Sequence, residues 1–406
     1  MAEALGDIRY RLGEFPAADE TFAEARKSID GDPVAFARLC EKTAMVVART
    51  SGFSPALRWT TRGREALAGL TDADAARQDA LLLAARALLR YRQGRHAEAA
   101  RTAEEAVAVA RRCGARDVLA RGLYLLDLVD VARGRYGGEP WAEQALAIWV
   151  ELGNLSWQAR AVSALGIRAY FEGRWDDALG YYRKAGEAFG QAGDQWNAAI
   201  HACNVGEILS HQGRYAEAED AVRPAERILR ASGAPSETAF AAAVLGTTAA
   251  RRGRAEEALR LLEAARADYV KVGDPIAAVA AEISIAEALL YAGEAEEALA
   301  RADGVAARSP ARNGDANASA LARVRGYALA LLGRAVSAQG SVDESLRAAR
   351  KRGDRYDEAL AADALIRLAE IRGQSPGPDL LARRDDLFRS LGIRTVPTPW
   401  PEDSGR

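Results

Sequence analysis

Cysteine, methionine and histidine are scarce: 3, 2 and 3 residues in a chain of 406. Cys40, Cys113 and Cys203 form an odd, widely spaced set, which argues against a disulfide framework and fits a reducing, cytoplasmic setting. The histidines are His96, His201 and His211. On one helix His201 and Cys203 point about 200° apart, so they cannot hold a metal together. His96 follows a turn glycine and is expected to be exposed. There is no run of eighteen apolar residues and no charged-then-apolar leader, so neither a membrane span nor a signal peptide is read. No phosphate loop occurs: Gly134–Gly138 lacks the preceding strand and the Lys-Ser/Thr ending. Nucleophile-elbow and zinc-protease motifs are absent. Net charge is only −2, which argues against a nucleic-acid binder, whose phosphate contacts need a basic surface. No catalytic residue, metal or cofactor is therefore assigned, and the chain is not read as an enzyme.

What the chain does have is a period. Glycines stand at 13, 52, 94, 134, 173, 213, 253, 293, 333 and 373, in steps of 39 to 42 residues. A second series, Gly31, Gly69, Gly114, Gly153, Gly193, Gly233, Gly273, Gly314, Gly353 and Gly392, follows 17 to 21 residues behind. Two interleaved series at this spacing predict about ten helix–turn–helix units, each helix ending on a left-handed glycine. Asp32, Asp194, Asp274, Asp315 and Asp354 follow glycines of the second series and are placed to cap the next helix. The carboxylate pairs Asp176-Asp177, Glu256-Glu257 and Glu296-Glu297 recur just after turns, where they compensate helix dipoles rather than perform acid–base chemistry.

Each first helix carries a large–small pair before its turn: Leu5-Gly6, Leu165-Gly166, Val205-Gly206, Leu245-Gly246, Ile285-Ala286. Each second helix has a small residue five past the turn: Ala18, Ala99, Ala178, Ala218, Ala258, Ala298, Ala338. Small residues at fixed points of both helices are what an antiparallel pair needs for close approach.

Large-Gly followed by Gly-Arg-x-x-Glu-Ala resembles the tetratricopeptide repeat in its longer, forty-residue form, and the resemblance covers nearly the whole chain. It implies an all-α, right-handed superhelical solenoid of about ten repeats over residues 1–392, with 393–406 as a Pro-containing loose tail. Such arrays are common in bacterial signal-transduction ATPases, in transcriptional activators with a nucleotide-binding domain, and in regulators linked to cyclases. The ending Leu387-Phe388-Arg389-Ser390-Leu391-Gly392-Ile393 is similar to the ends of such regulators.

The repeats are unequal. The second has Leu57 where the others have a small residue. Gly137-Gly138-Glu139-Pro140 delays the second helix of the fourth. Pro224 lies inside a second helix and is expected to kink or split it. Ser309–Asn317 reads as a longer loop. Met1 opens almost directly onto Leu5-Gly6 without a polar capping repeat. That is expected of a piece of a larger regulator, or of an end covered by another domain or a second copy.

In this repeat family the first helices line the concave face. The resemblance places wall positions at Arg121 and Tyr124, then Arg160, Ser163 and Tyr170, then Glu207, Ser210 and His211. Thr247, Glu287 with Tyr291, and Arg323 with Tyr327 continue the series. Tyr and Arg are frequent binding anchors, and packing between neighbouring helices is the competing role. Trp175 reads as inter-helix filler, and Trp157 and Trp196 as packing or an aromatic edge. The wall lacks the regular Lys and Asn pattern with which some arrays of this family clamp a terminal carboxylate. The expected function is a non-catalytic scaffold for a protein or peptide, its own upstream domain included, in signal transduction or transcription regulation. The alternative is a small-molecule sensor controlling an attached ATPase or cyclase, and self-pairing as a homodimer stays open.

Overall fold

In the computed structural model, residues 1–29, 31–135, 138–308 and 317–399 are described. Among them are twenty helices and no strand. In order these are α1 (Ala2–Leu12), α2 (Phe15–Lys27), α3 (Pro33–Thr50), α4 (Phe53–Ala66), α5 (Ala73–Arg92), α6 (His96–Cys113) and α7 (Arg116–Ala132). Then come α8 (Trp141–Glu151), α9 (Leu155–Phe171), α10 (Trp175–Gln191), α11 (Gln195–His211), α12 (Tyr215–Ala231), α13 (Pro235–Arg251) and α14 (Ala255–Val272). The last are α15 (Pro275–Tyr291), α16 (Ala295–Arg308), α17 (Ala318–Leu331), α18 (Ala335–Arg352), α19 (Arg355–Ile371) and α20 (Pro378–Leu391). No described helix is long and apolar enough to cross a membrane.

The glycine ladder is the cause of this order. Every positive-φ residue described belongs to one of the two predicted series, and no other residue type adopts that conformation. Gly314 lies outside the described residues. Asp32, Asp194, Asp274 and Asp354 cap as expected; Asp274, for example, accepts from the Ala277 N–H at 3.0 Å. Asp72 does the same for α5 and was not singled out by its sequence. Asp315 lies outside the described residues.

The small residues do the packing. Ala18, Ala99, Ala178, Ala218, Ala258, Ala298 and Ala338 have no exposed surface. A Cβ on Gly246 would sit 2.7 Å from Leu262, so only glycine lets α13 approach α14 this closely. The second repeat is a correction: Ala56, not Leu57, takes the small position and is fully buried. The reason is register, because α4 starts one residue after its turn glycine where α2, α6 and α10 start two after theirs. In the fourth repeat α8 is short and starts at Trp141, seven residues past Gly134, so the insertion delays it as expected; Gly137 itself is outside the described residues. Pro224 does not split α12. Asp220, whose carbonyl loses its amide partner to the proline, is exposed, so water can serve it. Of the expected loop Ser309–Asn317, residues 309–316 lie outside the described residues, and Asn317 stands in a turn before α17.

The chain divides into two compact units. Unit 1 holds Met1–Tyr170, Asp177–His201 and Ile228–Ala234; unit 2 holds Phe171–Asp176, Ala202–Arg227 and Pro235–Arg406.

Unit 1 brings its first hairpin onto segments far along the chain. The Phe15 ring stands edge-on to Trp196 at 5.7 Å, and the Arg49 guanidinium lies 4.2 Å over Trp196. Trp196 is buried, so its role is packing. On the other side of α1, Leu5, Ile8 and Leu12 are exposed.

Unit 2 closes on itself too. The Gln212 amide donates to the Leu391 carbonyl at 3.0 Å, and the Arg394 N–H donates to the Gln212 carbonyl at 3.0 Å. Arg355 reaches the Glu172 carbonyl at 3.4 Å, and Arg367 the Val396 carbonyl at 3.2 Å. The tail expected to be loose is therefore held through residues 393–396, with Ile393 buried; 400–406 lie outside the described residues. The physical reason is that the closing turns leave carbonyls and a buried glutamine amide that the tail's backbone satisfies.

Candidate functional site

The wall residues read from the sequence fall into two groups, one in each unit.

In unit 1, Arg121 on α7 pairs with Glu41 of α3 at 3.5 Å and lies 4.6 Å over the Trp157 ring. Arg160 on α9 sits over Trp157 at 5.3 Å and over Phe189 at 5.5 Å. Tyr124 meets Trp157 edge-on, and Trp157 stacks on buried Trp149 at 5.1 Å. Ser163 is buried and bonds His201 Nε2 at 2.8 Å. Nδ1 of the same ring faces the Asn197 carbonyl at 2.7 Å, so Nδ1 carries the proton and the serine hydroxyl donates to Nε2. Burial, with Arg160 adding to it, lowers His201 to about 4 and keeps it neutral. Tyr170 is half-buried at the end of α9. Most of this wall is thus occupied with itself. His96, expected exposed, is half-buried beside Tyr91, 5.7 Å between ring centroids.

In unit 2, alternate helices present their inner faces to one cavity of about 360 Å³. Helix α11 contributes Glu207, Ser210 and His211, α13 contributes Thr247 and Arg251, and α15 contributes Glu287. Arg323 comes from α17, and Tyr356 and Asp357 from the first turn of α19. Phe240, Ala243, Ala277 and Ala281 are among its apolar lining. Six of the expected wall residues therefore meet here: Glu207, Ser210, His211, Thr247, Glu287 and Arg323. Tyr291 stands behind Glu287, its hydroxyl 3.5 Å from the carboxylate. Tyr327 is a correction as a candidate ligand contact: it is buried in the core of α15–α18, where the repeat needs a filler.

The polar groups differ in how well they are matched. Arg323 donates to Glu287 at 2.8 Å in a buried ion pair, while its Nε is buried with no hydrogen-bond partner. Burial opposes ionisation of Glu287, but Arg323 and Arg251 outweigh it and hold the carboxyl below its ordinary range. Ser210 accepts from Thr248 at 2.9 Å. Arg251 bonds only neutral oxygens, the Ser210 carbonyl at 3.2 Å and the Tyr356 hydroxyl at 3.0 Å. Glu207 has no ion-pair partner among the described residues. Burial raises it to about 7 against the pull of Arg251. His211 stacks on Tyr356 at 4.3 Å, with Trp175 against both rings. Burial first, then Arg251 and Arg323, drives His211 well below its ordinary value, and its Nδ1 is unpartnered. Trp175 is buried, as the filler reading requires.

Sequence reasoning missed Arg251, Tyr356 and Asp357. Arg251 stands two residues before its turn glycine rather than three. Tyr356 and Asp357 open α19, the first helix of the tenth repeat, in which no wall position was named. Among the described residues no group of three His, Cys, Asp or Glu could hold a metal ion.

Residues 197–269 match the tetratricopeptide repeat family. Similar solved structures include a Rap protein complexed with competence and sporulation factor, with TM-score 0.54 and 14% identity over 94% of this chain and 98% of that one. The quorum sensor NprR from B. thuringiensis, in its apo form, gives 0.54 and 13%, covering 84% and 98%. A signal-transduction ATPase with a tetratricopeptide repeat sensor from Pyrococcus horikoshii gives 0.54 and 12%, covering 87% of this chain and 52% of that one. No curated protein matches. The chain is an all-α, tetratricopeptide-like helical repeat array. At these identities the likeness carries the fold alone.

Proposed function

We propose that the chain is a non-catalytic regulatory module that binds a peptide or a protein segment in the cavity of unit 2. The observation that carries this is the cavity itself. Six helices converge on about 360 Å³, at the small end of the size of ligand sites, and its lining mixes charged groups with alanines and Phe240. A ligand-binding role fits structural neighbours that include a Rap protein complexed with a competence and sporulation factor and the quorum sensor NprR. A place in bacterial, cytoplasmic signal transduction or transcription regulation is the setting we read from the repeat type.

The test is selection of a displayed peptide library on the full chain, beside Thr247→Trp. Thr247 lines the cavity and is half-buried, so an indole there fills the space without changing charge. Peptides enriched by the parent and lost by a still-folded Thr247→Trp support the reading. Peptides that bind both alike place recognition elsewhere and overturn it.

A further inference from the structure

Two opposite charges line the same cavity and do not meet. Arg251 spends its hydrogen bonds on a carbonyl and a phenol. Glu207, one helical turn before Ser210 and His211, has neither an ion pair nor a hydrogen bond among the described residues. The neighbouring pair behaves in the opposite way, because Arg323 and Glu287 satisfy each other at 2.8 Å. Both side chains are half-buried, and a cation and a carboxyl drawn partly out of water without meeting are costly unless something joins them. Burial pushes Glu207 up to about 7, the behaviour of a carboxyl without a close cation. Two further buried atoms of lining residues have no hydrogen-bond partner, the Arg323 Nε and the His211 Nδ1. The lining also includes the apolar Phe240, Ala243, Ala277 and Ala281.

We infer that this cavity holds a zwitterion with an apolar side chain, its carboxylate on Arg251 and its ammonium on Glu207. The class covers a free apolar amino acid and a short peptide with both termini free. The inference deepens the proposed binding role of the same cavity and rests on that cavity being the ligand site. A carboxylate suits Arg251 because a guanidinium can offer two parallel donors. An ammonium suits Glu207 because it restores the ionised carboxylate that burial disfavours. The small volume sets the size of the ligand, and the alanines leave room for its side chain.

The experiment is calorimetric titration of the full chain with L-leucine, L-phenylalanine and the dipeptides Ala-Leu and Ala-Phe. Phenethylamine, which lacks the carboxylate, and 3-phenylpropanoate, which lacks the ammonium, are the controls. One or more of the zwitterions is expected to bind at least tenfold more tightly than either singly charged analogue. Arg251→Met should erase the gap to phenethylamine, and Glu207→Gln the gap to 3-phenylpropanoate. Thr247→Trp should remove binding altogether, with circular dichroism and melting confirming that the variants are folded. The amino acids and the dipeptides separate the two sources.

If the singly charged analogues match the zwitterions, or if binding survives Thr247→Trp, the inference is overturned. If no probe binds while displayed peptides still depend on the open cavity, the zwitterion falls and the peptide reading stands. If the probes bind with the expected variant pattern and no displayed peptide does, the zwitterion stands and the peptide reading falls.

Discussion

The inner residues of unit 1 and those of unit 2 are drawn from the same kinds of amino acid, and they do different things. In unit 1, Arg121 and Arg160 lie over Trp157, Glu41 pairs with Arg121, and Ser163 with His201 closes a buried hydrogen-bond chain. In unit 2 one ion pair closes in the same way, but Arg251 and Glu207 stay unmatched around a cavity. An Arg, Tyr or Glu at a wall position therefore says nothing about binding until its neighbours are known. Buried guanidinium nitrogens without a partner occur in both walls, at Arg121 Nε and Arg323 Nε, so what distinguishes the candidate site is an acid and a base that line open space and make no ion pair with each other.

The largest effect is expected where a buried charge loses its partner. Arg323→Ala leaves Glu287 buried beside Tyr291 with its near cation gone. The cost should be about 3–5 kcal/mol, seen as a lower denaturant midpoint. Arg121→Ala breaks a longer, more exposed pair and should cost only about 1 kcal/mol. Equal costs would mean that the two walls are held alike, and the comparison would collapse.

Next comes pH, where the units should respond with opposite sign. His201 titrates at about 4 when folded, below its ordinary 6.5, so the unfolded chain binds the proton more readily between those values. The stability tied to neutral His201 is present above pH 6.5 and is lost as pH falls toward 4, by up to about 3 kcal/mol. Glu207 is raised from 4.5 to about 7, so its contribution is present below pH 4.5 and is lost as pH rises through 7. Because Glu207 keeps some exposure, about 2 kcal/mol is expected there. Melts across pH 4–8 should show Glu207→Gln removing a loss of stability between pH 4.5 and 7, and His201→Gln removing a gain between pH 4 and 6.5. Crossed or absent effects would remove the charge difference on which the site rests.

The fold was legible because a helix that must end on a left-handed residue advertises it, and the forty-residue glycine ladder repeats that signal ten times. The departures are local. Ala56 displaced Leu57 because α4 starts one residue early, a shift that no spacing rule sees. Six of the cavity's polar lining residues, Glu207, Ser210, His211, Thr247, Glu287 and Arg323, were legible from the first-helix positions of α11 to α17. Arg251, Tyr356 and Asp357 were not, because their meeting depends on which distant repeats close on each other. Arg251 and Tyr356 are 105 residues apart. The held tail, reaching Gln212 from Arg394, escaped for the same reason.

That closure gives a smaller prediction within unit 2. Gly173 and Gly253 both have positive φ, 76° and 74°, so alanine should cost each about 1–2 kcal/mol. A Cβ on Gly253 meets nothing, whereas one on Gly173 would lie 2.8 Å from Arg355 Cδ. The excess cost of Gly173→Ala over Gly253→Ala therefore measures the closing contact alone. Limited proteolysis should show the C-terminal segment cut faster in the Gly173 variant. No excess, with unchanged proteolysis, would mean that Arg355 swings aside and the closure is loose.

The smallest stability effect is expected at the residue argued to matter most for binding. Arg251→Met removes bonds to the Ser210 carbonyl and the Tyr356 hydroxyl, about 1 kcal/mol each at most. It also removes a cation that makes no ion pair, a relief that runs the other way, while Glu287 loses the weaker of the two cations that keep it ionised. The net change should lie within about 1 kcal/mol, while Arg121→Met in unit 1, losing a carboxylate and a ring face, should cost at least as much. A large loss of stability at Arg251 would show that it holds the helices together as Arg121 does, and its unpaired charge would then be a feature of packing. A small one, with ligand binding lost, separates the two walls by purpose: one is occupied by its own side chains, and the other leaves a charge for a partner.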